Sequence, residues 1–334
     1  MSDQNLAVIL PSKGSRLEVI HRPTPTQGPD DLLIEVKATA LNPIDCYQRD
    51  VGFPPIPAYS AVRDSDTGGT IISTGSSVSS DTPKSGTRVS AFAPCFYMQG
   101  APDYGALQAR VLVPAVNAAP IPQGMSFTKA SILPAAVTTV WYGWHTIGLP
   151  CDTAYIAADK KGMVVWGGAS SISSAAIQIA KLTGFTVYAT ASVKHHEYLK
   201  SLGASKVFDY KSKNVVASIV KAAKEYGVTT STGFDGAGQW KECLEVLKEL
   251  KGEGTVKLVS AIPLKEDAPK MEGMEVKFVS APADDKARTE VFTSSSMSGC
   301  RRKESLCRVR RSRWLREAWR MQTKALDELK RGVG

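Results

Sequence analysis

Strand and helix patterns alternate along residues 129–282, and this alternation constrains the fold more than any other feature of the chain. Short apolar or β-branched runs predict strands at 163–166, 186–191, 206–209, 232–235, 255–260 and 276–280. Helical patterns at 214–227 and 239–252 lie between them, each closed by a glycine suited to a helix C-terminus. This spacing predicts an α/β domain with a doubly wound parallel sheet and helices on both faces.

Residues 1–128 follow a different pattern. Short alternating or β-branched runs recur at 32–41, 68–75, 87–93 and 106–114, and clusters of Pro, Gly and Ser separate them. Because long amphipathic helices are missing from this pattern, the zone predicts an antiparallel barrel or sandwich. We therefore expect two domains, at 1–128 and 129–282.

The remaining residues, 283–334, form a third segment whose composition changes abruptly at about 293. The stretch 293–322 is rich in arginine, and an ordinary helical pattern, "TKALDELKRG", follows it. Residues 300–334 hold 12 Lys and Arg against 4 Asp and Glu, whereas the other residues hold 29 against 28. Residues 300–334 therefore carry +8 of the net charge of +9. A basic stripe on a folded domain, as specific nucleic-acid binding requires, is not expected.

Overall composition is that of a soluble globular protein, with 43% hydrophobic and 22% charged residues. No apolar run approaches the roughly 18 residues of a membrane span, and the start "MSDQNLAVIL" does not resemble a signal peptide. The six cysteines are scattered and form no CxxC pair. These features predict a cytoplasmic protein with no disulfide framework, no structural zinc and no membrane contact.

The stretch "VVWGGASSISSAAIQIAKL" is the strongest candidate for a binding site. It predicts a strand, a turn that begins with Gly167 and Gly168, and a helix. Free N–H groups at a helix start favour a pyrophosphate, provided that small side chains let it approach. Small residues recur at Gly167, Ser170 and Ser173, and the hydroxyls of Ser170 and Ser171 could add donors. The alternative is that the small residues only pack the helix against the strand.

The end of the next predicted strand indicates which nucleotide this turn would bind. A ribose with a free 2′-hydroxyl is usually held by a carboxylate about 20 residues beyond the glycines. Here the strand "TVYATAS" ends in Ser192 and is followed by Lys194, His195 and His196. A charge-assisted hydrogen bond to a 2′-phosphate is worth roughly 1.5–3 kcal/mol, so NADP(H) is favoured over NAD(H). The alternative is an ordinary solvated helix start.

Several motifs occur in an order that resembles the medium-chain dehydrogenase/reductase superfamily. They are "ALNPIDCYQRDVG" (40–52), "GALQARVLVP", "LPAAVTTVW", the glycine–serine turn, "TASVKHHEYLKSLGA" and "VFDYK". The resemblance covers residues 5 to about 290. Its nearest likeness is to zinc-free quinone oxidoreductases and to the fungal branch that includes trans-acting enoyl reductases of polyketide pathways. It implies a GroES-like antiparallel β-barrel followed by a Rossmann doubly wound parallel sheet.

In the family, the chain returns after the nucleotide domain to supply a late helix and closing strands to the first domain. "TKALDELKRGV" resembles that helix, but 293–322 resembles nothing in the family, and we expect this stretch to be disordered. The closing strand is expected to be missing, because the sequence stops after the helix. Our hypothesis is a shifted reading frame or altered splicing, which the other frames of the coding DNA would test.

The resemblance also implies the residues that contact the cofactor. Beside the nicotinamide they are Asn42, Asp45, Tyr47 and Thr139; at its ribose, Ala261 and Ile262; at the pyrophosphate turn, Gly167, Gly168, Ser170, Ser171 and Ile172; and at the 2′-phosphate, Ser192, Lys194, His195 and Tyr210. Ser173 departs from a glycine that is common in the family, which would set the helix slightly farther from the phosphates.

Zinc is the obvious alternative chemistry within the superfamily, and the residues argue against it. A catalytic zinc needs three protein ligands. The stretch "YSAVRDSDTGG" lacks the His-Glu pair that zinc alcohol dehydrogenases carry there, and Cys46 has no evident partner. His145, in an apolar helical stretch, is interpreted as a packed or surface residue. We therefore expect no metal.

Without zinc, the expected chemistry is hydride transfer to a conjugated enone, a quinone or an enoyl thioester. The product enolate needs hydrogen-bond donors and then a proton. Tyr47 is the candidate donor and Asn42 would assist orientation, although water could deliver the proton and Tyr47 could be a packing residue. The alternative function is NADPH binding without turnover, with the basic segment touching acidic partners or RNA non-specifically. A monomer and a homodimer are both compatible with the sequence.

Overall fold

The computed structural model describes residues 4–80, 82–98, 100–264 and 273–282. These residues divide into two compact units, with the division between Ala135 and Ala136. The third segment, 283–334, with its atypical stretch 293–322, lies outside the described residues. The domain limits drawn from the sequence stay predictions.

The first unit contains two antiparallel sheets, as the sequence pattern predicts. Its described strands are β1 (Gln4–Leu10), β2 (Glu18–Pro23), β3 (Asp31–Thr39), β4 (Ala61–Val62), β5 (Asp66–Thr74), β6 (Arg88–Phe92), β7 (Arg110–Pro114) and β8 (Ala118–Pro120). One sheet has the order β2-β1-β4 and the other β7-β3-β5-β6-β8. Two helices accompany them, α1 (Pro43–Asp50) and α2 (Phe127–Ala130).

Alternation along the strands builds the core of the first unit. Leu32 and Ile34 of β3 are buried with Val111 and Val113 of the neighbouring β7. The β1–β2 hairpin, which pairs Val8 with Val19, was not predicted from the sequence. β1 is a continuous buried run, but β2 is largely exposed. The residues of β2 therefore lack the apolar pattern that would have predicted a strand pair.

The second unit is built on a six-stranded parallel sheet. Its described elements are α3 (Pro134–Thr146), β9 (Lys161–Trp166), α4 (Ser171–Leu182), β10 (Thr186–Thr190), α5 (His196–Leu202), β11 (Lys206–Phe208), α6 (Val215–Glu225), β12 (Thr229–Asp235), α7 (Trp240–Leu250), β13 (Val256–Ser260) and β14 (Met274–Phe278). The strand order is β11-β10-β9-β12-β13-β14. The chain therefore winds outward from β9 in both directions, and the order reverses between β9 and β12.

All six strands predicted from the sequence are present, with bounds shifted by a few residues. The two predicted helix-ending glycines are also confirmed. Gly227 after α6 has φ +63°, and Gly252 after α7 has φ +62°, the left-handed conformation that glycine adopts without strain. In the described part of the chain, no helix combines the length and the apolar character that crossing a bilayer requires.

Helix α4 carries the residues of the glycine–serine turn into the core. Helical spacing predicts that Ala175, Ile179 and Leu182 face the sheet. Ala175 and Ile179 are buried, but the prediction is wrong for Leu182, which is 40% exposed. Leu182 is the last residue of α4 and lies beyond the continuously buried stretch 173–180.

Candidate functional site

The turn after β9 needs glycine at both of its first positions. Gly167 has φ +72°, and its N–H donates to Thr190 Oγ1 at 3.1 Å. The N–H of Gly168 donates to the Thr190 carbonyl at 2.8 Å. A Cβ atom on Gly168 would lie 2.7 Å from Leu199 Cδ1, which is too close. The turn is thus held against the end of β10.

Ser170 is the N-cap residue of α4. Its hydroxyl accepts from Ser173 N at 3.2 Å and donates to Ser173 Oγ at 2.9 Å. Because this hydroxyl is engaged within the helix start, the expectation that it adds a free donor is not supported. The backbone N–H groups of Ser171 and Ile172 have no acceptor among the described residues, and both residues are half-buried. These two N–H groups, at the positive end of the helix dipole, are available to an anion.

The loop after β12 packs directly beside this turn. A Cβ atom on Gly236 would overlap Ser173 Oγ, and a Cβ atom on Gly167 would lie 2.7 Å from Ala237 Cβ. The side chain of Ser173 fits at this position because Gly236 has no Cβ atom. The two loops meet where the strand order reverses, which is the usual ligand position in open α/β sheets.

Asp235, the last residue of β12, organises this loop. Its Oδ1 accepts from Ala237 N at 2.9 Å and from Gln239 N at 3.1 Å, and its Oδ2 accepts from Ser260 Oγ at 3.3 Å. Burial raises the pKa of Asp235, and the backbone donors of Ala237 and Gln239 oppose part of that rise. Asp235 was not predicted from the sequence. Its signal was a carboxylate at the end of a predicted strand, followed by "GAG".

The ends of β10 and β11 bring together two of the predicted phosphate-binding residues. Ser192 Oγ donates to the Tyr210 hydroxyl at 3.4 Å. Lys194 is exposed, and His195 is half-buried. The first carboxylate after β10 is Glu197, which is paired with Lys200 at 2.8 Å.

Ala261 and Ile262 follow β13 at the same edge of the sheet. Ala261 N donates to the Asp235 carbonyl at 2.9 Å, and Ile262 N donates to Ser260 Oγ at 3.1 Å. Ile262 is exposed. Thr139 lies on α3 and is half-buried.

In the first unit, Asn42 is the N-cap residue of α1. Its Nδ2 donates to the Ala40 carbonyl at 3.2 Å and to Asp66 Oδ2 at 2.9 Å. The opposite orientation of the amide would place its oxygen against two acceptors, so these contacts assign it. Both N–H bonds are thereby occupied, and the Oδ1 atom is left as an acceptor.

Asp45 is 2% exposed, and its carboxylate faces the protein interior. Its Oδ2 accepts from Asn42 N at 2.8 Å, and the Arg63 guanidinium donates to its carbonyl. Burial raises the pKa of Asp45, and the positive charge of Arg63 opposes that rise. The predicted contact between Asp45 and a cofactor is not supported, because this carboxylate caps α1 from inside.

Tyr47, also on α1, is 51% exposed. Its carbonyl accepts from Val51 N at 3.0 Å and from Phe53 N at 3.3 Å. Its hydroxyl makes no hydrogen bond to any described residue. The hydroxyl is therefore free to contact a ligand.

Two further buried carboxylates, Asp64 and Asp66, support this part of the unit. Asp66 also accepts from Ala135 N at 2.6 Å, and burial raises its pKa to about 7. Asp64 has φ +73°, which aspartate tolerates better than most residues, and it accepts from Ser65 N at 2.7 Å. Burial, reinforced by the charges of Asp45 and Asp66, raises the pKa of Asp64 well above its usual value. Neither role was predicted from the sequence, where this stretch bears only on the absence of zinc ligands.

The described residues contain no group of three or more His, Cys, Asp or Glu side chains that could hold a metal ion. Cys46 is half-buried, and Cys95 is buried with its Sγ 3.7 Å from Ser65 Oγ. Burial raises the pKa of the Cys95 thiol to about 12. His145 is exposed at the surface of α3, consistent with its interpretation as a packed or surface residue.

Known families match both units. Residues 28–123 match the alcohol dehydrogenase GroES-like domain, and residues 171–281 match the zinc-binding dehydrogenase family. Among solved structures, the quinone oxidoreductase from Coxiella burnetii has a TM-score of 0.61 at 22% identity, covering 86% of this chain and 86% of that chain. These matches define the first unit as a GroES-like antiparallel domain and the second as a Rossmann domain.

Two curated fungal proteins are much closer in sequence. The trans-enoyl reductase tazE of Aspergillus terreus is 46% identical over 295 residues, which are 87% of this chain and 97% of that protein. The trans-enoyl reductase tndF of Aspergillus flavipes is 44% identical over 293 residues, covering 87% of this chain and 84% of that protein. The chain therefore belongs to the medium-chain dehydrogenase/reductase superfamily, in its fungal enoyl reductase branch.

Membership of this family makes the chain an oxidoreductase and implies a nicotinamide cofactor. The residues of the second unit fit such a group. The N–H groups of Ser171 and Ile172, which have no acceptor among the described residues, suit a pyrophosphate. The hydroxyls of Ser192 and Tyr210 follow β10 and β11, the next two strands on one side of β9. The described residues do not include a group of three side chains that could bind a catalytic zinc ion.

Proposed function

We propose that the protein is an NADPH-dependent reductase that transfers hydride to a conjugated enone, a quinone or an enoyl thioester without zinc. The observation that carries the proposal is a glycine turn followed by two backbone N–H groups, those of Ser171 and Ile172, that have no acceptor among the described residues. Ser192, Lys194 and Tyr210 follow the next two strands, where an NAD-binding protein usually has a carboxylate. The resemblance to trans-enoyl reductases supports the choice of acceptor.

In this proposal, the second unit holds the cofactor along the carboxyl edge of its sheet. Ser171 and Ile172 donate backbone hydrogen bonds to the pyrophosphate, and Gly167, Gly168 and the capping hydroxyl of Ser170 shape the turn. The remaining contacts are assigned to Ser192, Lys194, His195 and Tyr210 at the 2′-phosphate, Ala261 and Ile262 at the nicotinamide ribose, and Thr139 at the carboxamide.

When bound, NADPH would supply a hydride to the β-carbon of the acceptor and be left as NADP⁺. The oxygen of the resulting enolate then needs a donor, and its α-carbon needs a proton. The Tyr47 hydroxyl is assigned this donor role, because it is exposed and makes no hydrogen bond to the described residues. Asn42 is assigned an orienting role: both of its N–H bonds are occupied, so it accepts through Oδ1.

Asp45 supports the site indirectly. Its buried carboxylate accepts from Asn42 N at 2.8 Å and so fixes the start of the helix that carries Tyr47. Absence of a three-ligand set among the described residues is consistent with chemistry that relies on hydrogen bonds at the enolate.

The test is a titration of the purified full chain with NADPH and, separately, NADH, followed by nicotinamide fluorescence. A quinone, a simple enone and an enoyl thioester are then added. NADPH binding that is tighter than NADH binding, with oxidation of NADPH by one of the acceptors, is the expected result. Binding without oxidation of NADPH would favour the alternative of a nucleotide-binding protein without turnover. Failure to bind either nucleotide would refute the proposal.

A further inference from the structure

We infer that Asp235 is a positioning residue for the nicotinamide half of the cofactor, acting through the loop 236–239 and the segment Ala261–Ile262. The inference rests on the proposed function. Asp235 ends β12, beside β9, at the point where the strand order reverses. Ligands of open α/β sheets bind at this point, outside the carboxyl ends of the strands.

A single carboxylate connects the ends of two strands here. Oδ1 of Asp235 accepts from Ala237 N and Gln239 N, at 2.9 and 3.1 Å, which shapes the loop after β12. Oδ2 lies 3.3 Å from Ser260 Oγ at the end of β13. That loop also packs on the glycine turn, because Ala237 lies against Gly167. Asp235 therefore fixes the shape of the loop that follows β12.

Ser260 carries the connection onward to Ile262. Its single hydroxyl proton lies between two acceptors, the Ile262 carbonyl at 2.9 Å and Asp235 Oδ2 at 3.3 Å. The same oxygen accepts from Ile262 N at 3.1 Å. Ala261 N donates to the Asp235 carbonyl at 2.9 Å. Side chain and backbone of Asp235 thus set the path of the segment assigned to the nicotinamide ribose.

Asp235 cannot contact a ligand itself, because it is fully buried in the second unit. Burying a carboxylate is costly, and an apolar side chain would fill the same space without that cost. Here the carboxylate accepts from backbone N–H groups that an apolar side chain would leave without an acceptor. Its loops lie on the β12–β13 side of β9, whereas Ser192, Lys194 and Tyr210 follow β10 and β11 on the other side. Removing the carboxylate should therefore disturb one half of the cofactor site.

The test compares Asp235→Ala with the wild type by calorimetric titration of the full chain with NADPH and with 2′,5′-ADP, which lacks the nicotinamide half. We expect Asp235→Ala to weaken NADPH binding by about tenfold or more, because the loop 236–239 and the segment Ala261–Ile262 lose the acceptor that fixes them. Binding of 2′,5′-ADP should stay within about twofold, a change of under about 0.5 kcal/mol. The residues assigned to its 2′-phosphate follow β10 and β11, on the other side of β9 from Asp235.

Asp235→Asn is the conservative variant. Its amide oxygen can still accept from Ala237 and Gln239, so NADPH binding should stay near the wild-type value. The matched control is Asp159→Ala, which removes another loop carboxylate of the same unit. Asp159 accepts from Ile156 N at 2.8 Å, and its loss should change neither affinity.

Equal losses for NADPH and 2′,5′-ADP would overturn the inference, and so would unchanged NADPH binding by Asp235→Ala or full loss in Asp235→Asn. If Asp235→Ala does not fold, Ser260→Ala decides: selective weakening of NADPH binding supports the inference and unchanged binding overturns it. A wild-type protein that binds no nicotinamide nucleotide would refute the proposed function. Wild-type binding with an unaffected variant overturns only the role of Asp235.

Discussion

The carboxylate of Asp66 accepts a hydrogen bond from the side-chain amide of Asn42 at 2.9 Å. Its other oxygen accepts from Ala135 N at 2.6 Å. Asp66 is 1% exposed, so neither contact competes strongly with water. One buried carboxylate therefore orients the amide that we assign to the reacting part of the site, and its ionisation falls in the neutral range.

Asp66 should make stability depend on pH. Its pKa is raised to about 7 in the folded protein from 3.8, so the folded state binds more protons between these values and stability falls as pH rises from about 4 to 7. Between pH 5 and 8 this amounts to an upper bound on the order of 3 kcal/mol. Urea unfolding at several pH values should show a flatter profile for Asp66→Asn.

Asp45 and Asp64 also have raised pKa values, so the Asp66→Asn profile keeps part of its slope. Asp152→Asn, which changes an exposed carboxylate, is the control and should leave the slope unaltered. Identical pH profiles for the wild type and Asp66→Asn would show that Asp66 does not titrate in this range.

Removing the hydroxyl of Tyr47 should slow the reaction and leave cofactor binding intact. Tyr47→Phe is expected to lower kcat by about 10²-fold, the lower range for loss of one donor to an oxyanion, with the Kd for NADPH unchanged. Tyr226→Phe changes another exposed tyrosine, at the end of α6, and serves as the control. Wild-type kcat in Tyr47→Phe would show that Tyr47 does not stabilise the enolate oxygen.

Lys194 should discriminate between NADPH and NADH. Lys194→Ala is expected to weaken NADPH binding about tenfold and to leave NADH binding nearly unchanged, because only NADPH carries the 2′-phosphate. Fluorescence titrations with both nucleotides measure the effect. Lys200→Ala, which removes the exposed partner of Glu197 on α5, is the matched control. Equal weakening of both nucleotides would argue against a specific contact with the 2′-phosphate.

Ser173 and Gly236 should be coupled. Gly236→Ala places a Cβ atom into Ser173 Oγ, and overpacking of this kind costs typically 1–3 kcal/mol. Ser173→Gly removes the clashing side chain, so the double variant should recover most of the unfolding free energy lost in Gly236→Ala. A double-mutant cycle by urea unfolding measures this coupling. Strictly additive effects would mean that the two loops separate without cost.

Local patterns were sufficient where an element is regular and its neighbours repeat the same arrangement. The six strands and the helices α6 and α7 follow from apolar spacing and glycine caps, and the turn at Gly167 follows from its place after a buried strand. The β1–β2 hairpin did not follow, because β2 is largely exposed and lacks a continuous apolar face. Leu182 was misplaced because helical spacing does not show where a helix passes the edge of its sheet.

The sequence by itself determined the order of an antiparallel unit and a parallel α/β unit, the glycine turn and the lack of a carboxylate at the end of β10. Each of these depends on residues close together in the chain. Only the tertiary structure decided which polar atoms remain available. Ser170 and Asp45 looked like ligand contacts but cap helices, whereas Asp66 and Asp235 are buried acceptors for groups up to 69 residues away. Hydrogen-bond partners far apart in the chain are set by packing, because a buried donor takes whichever acceptor the fold brings within about 3 Å.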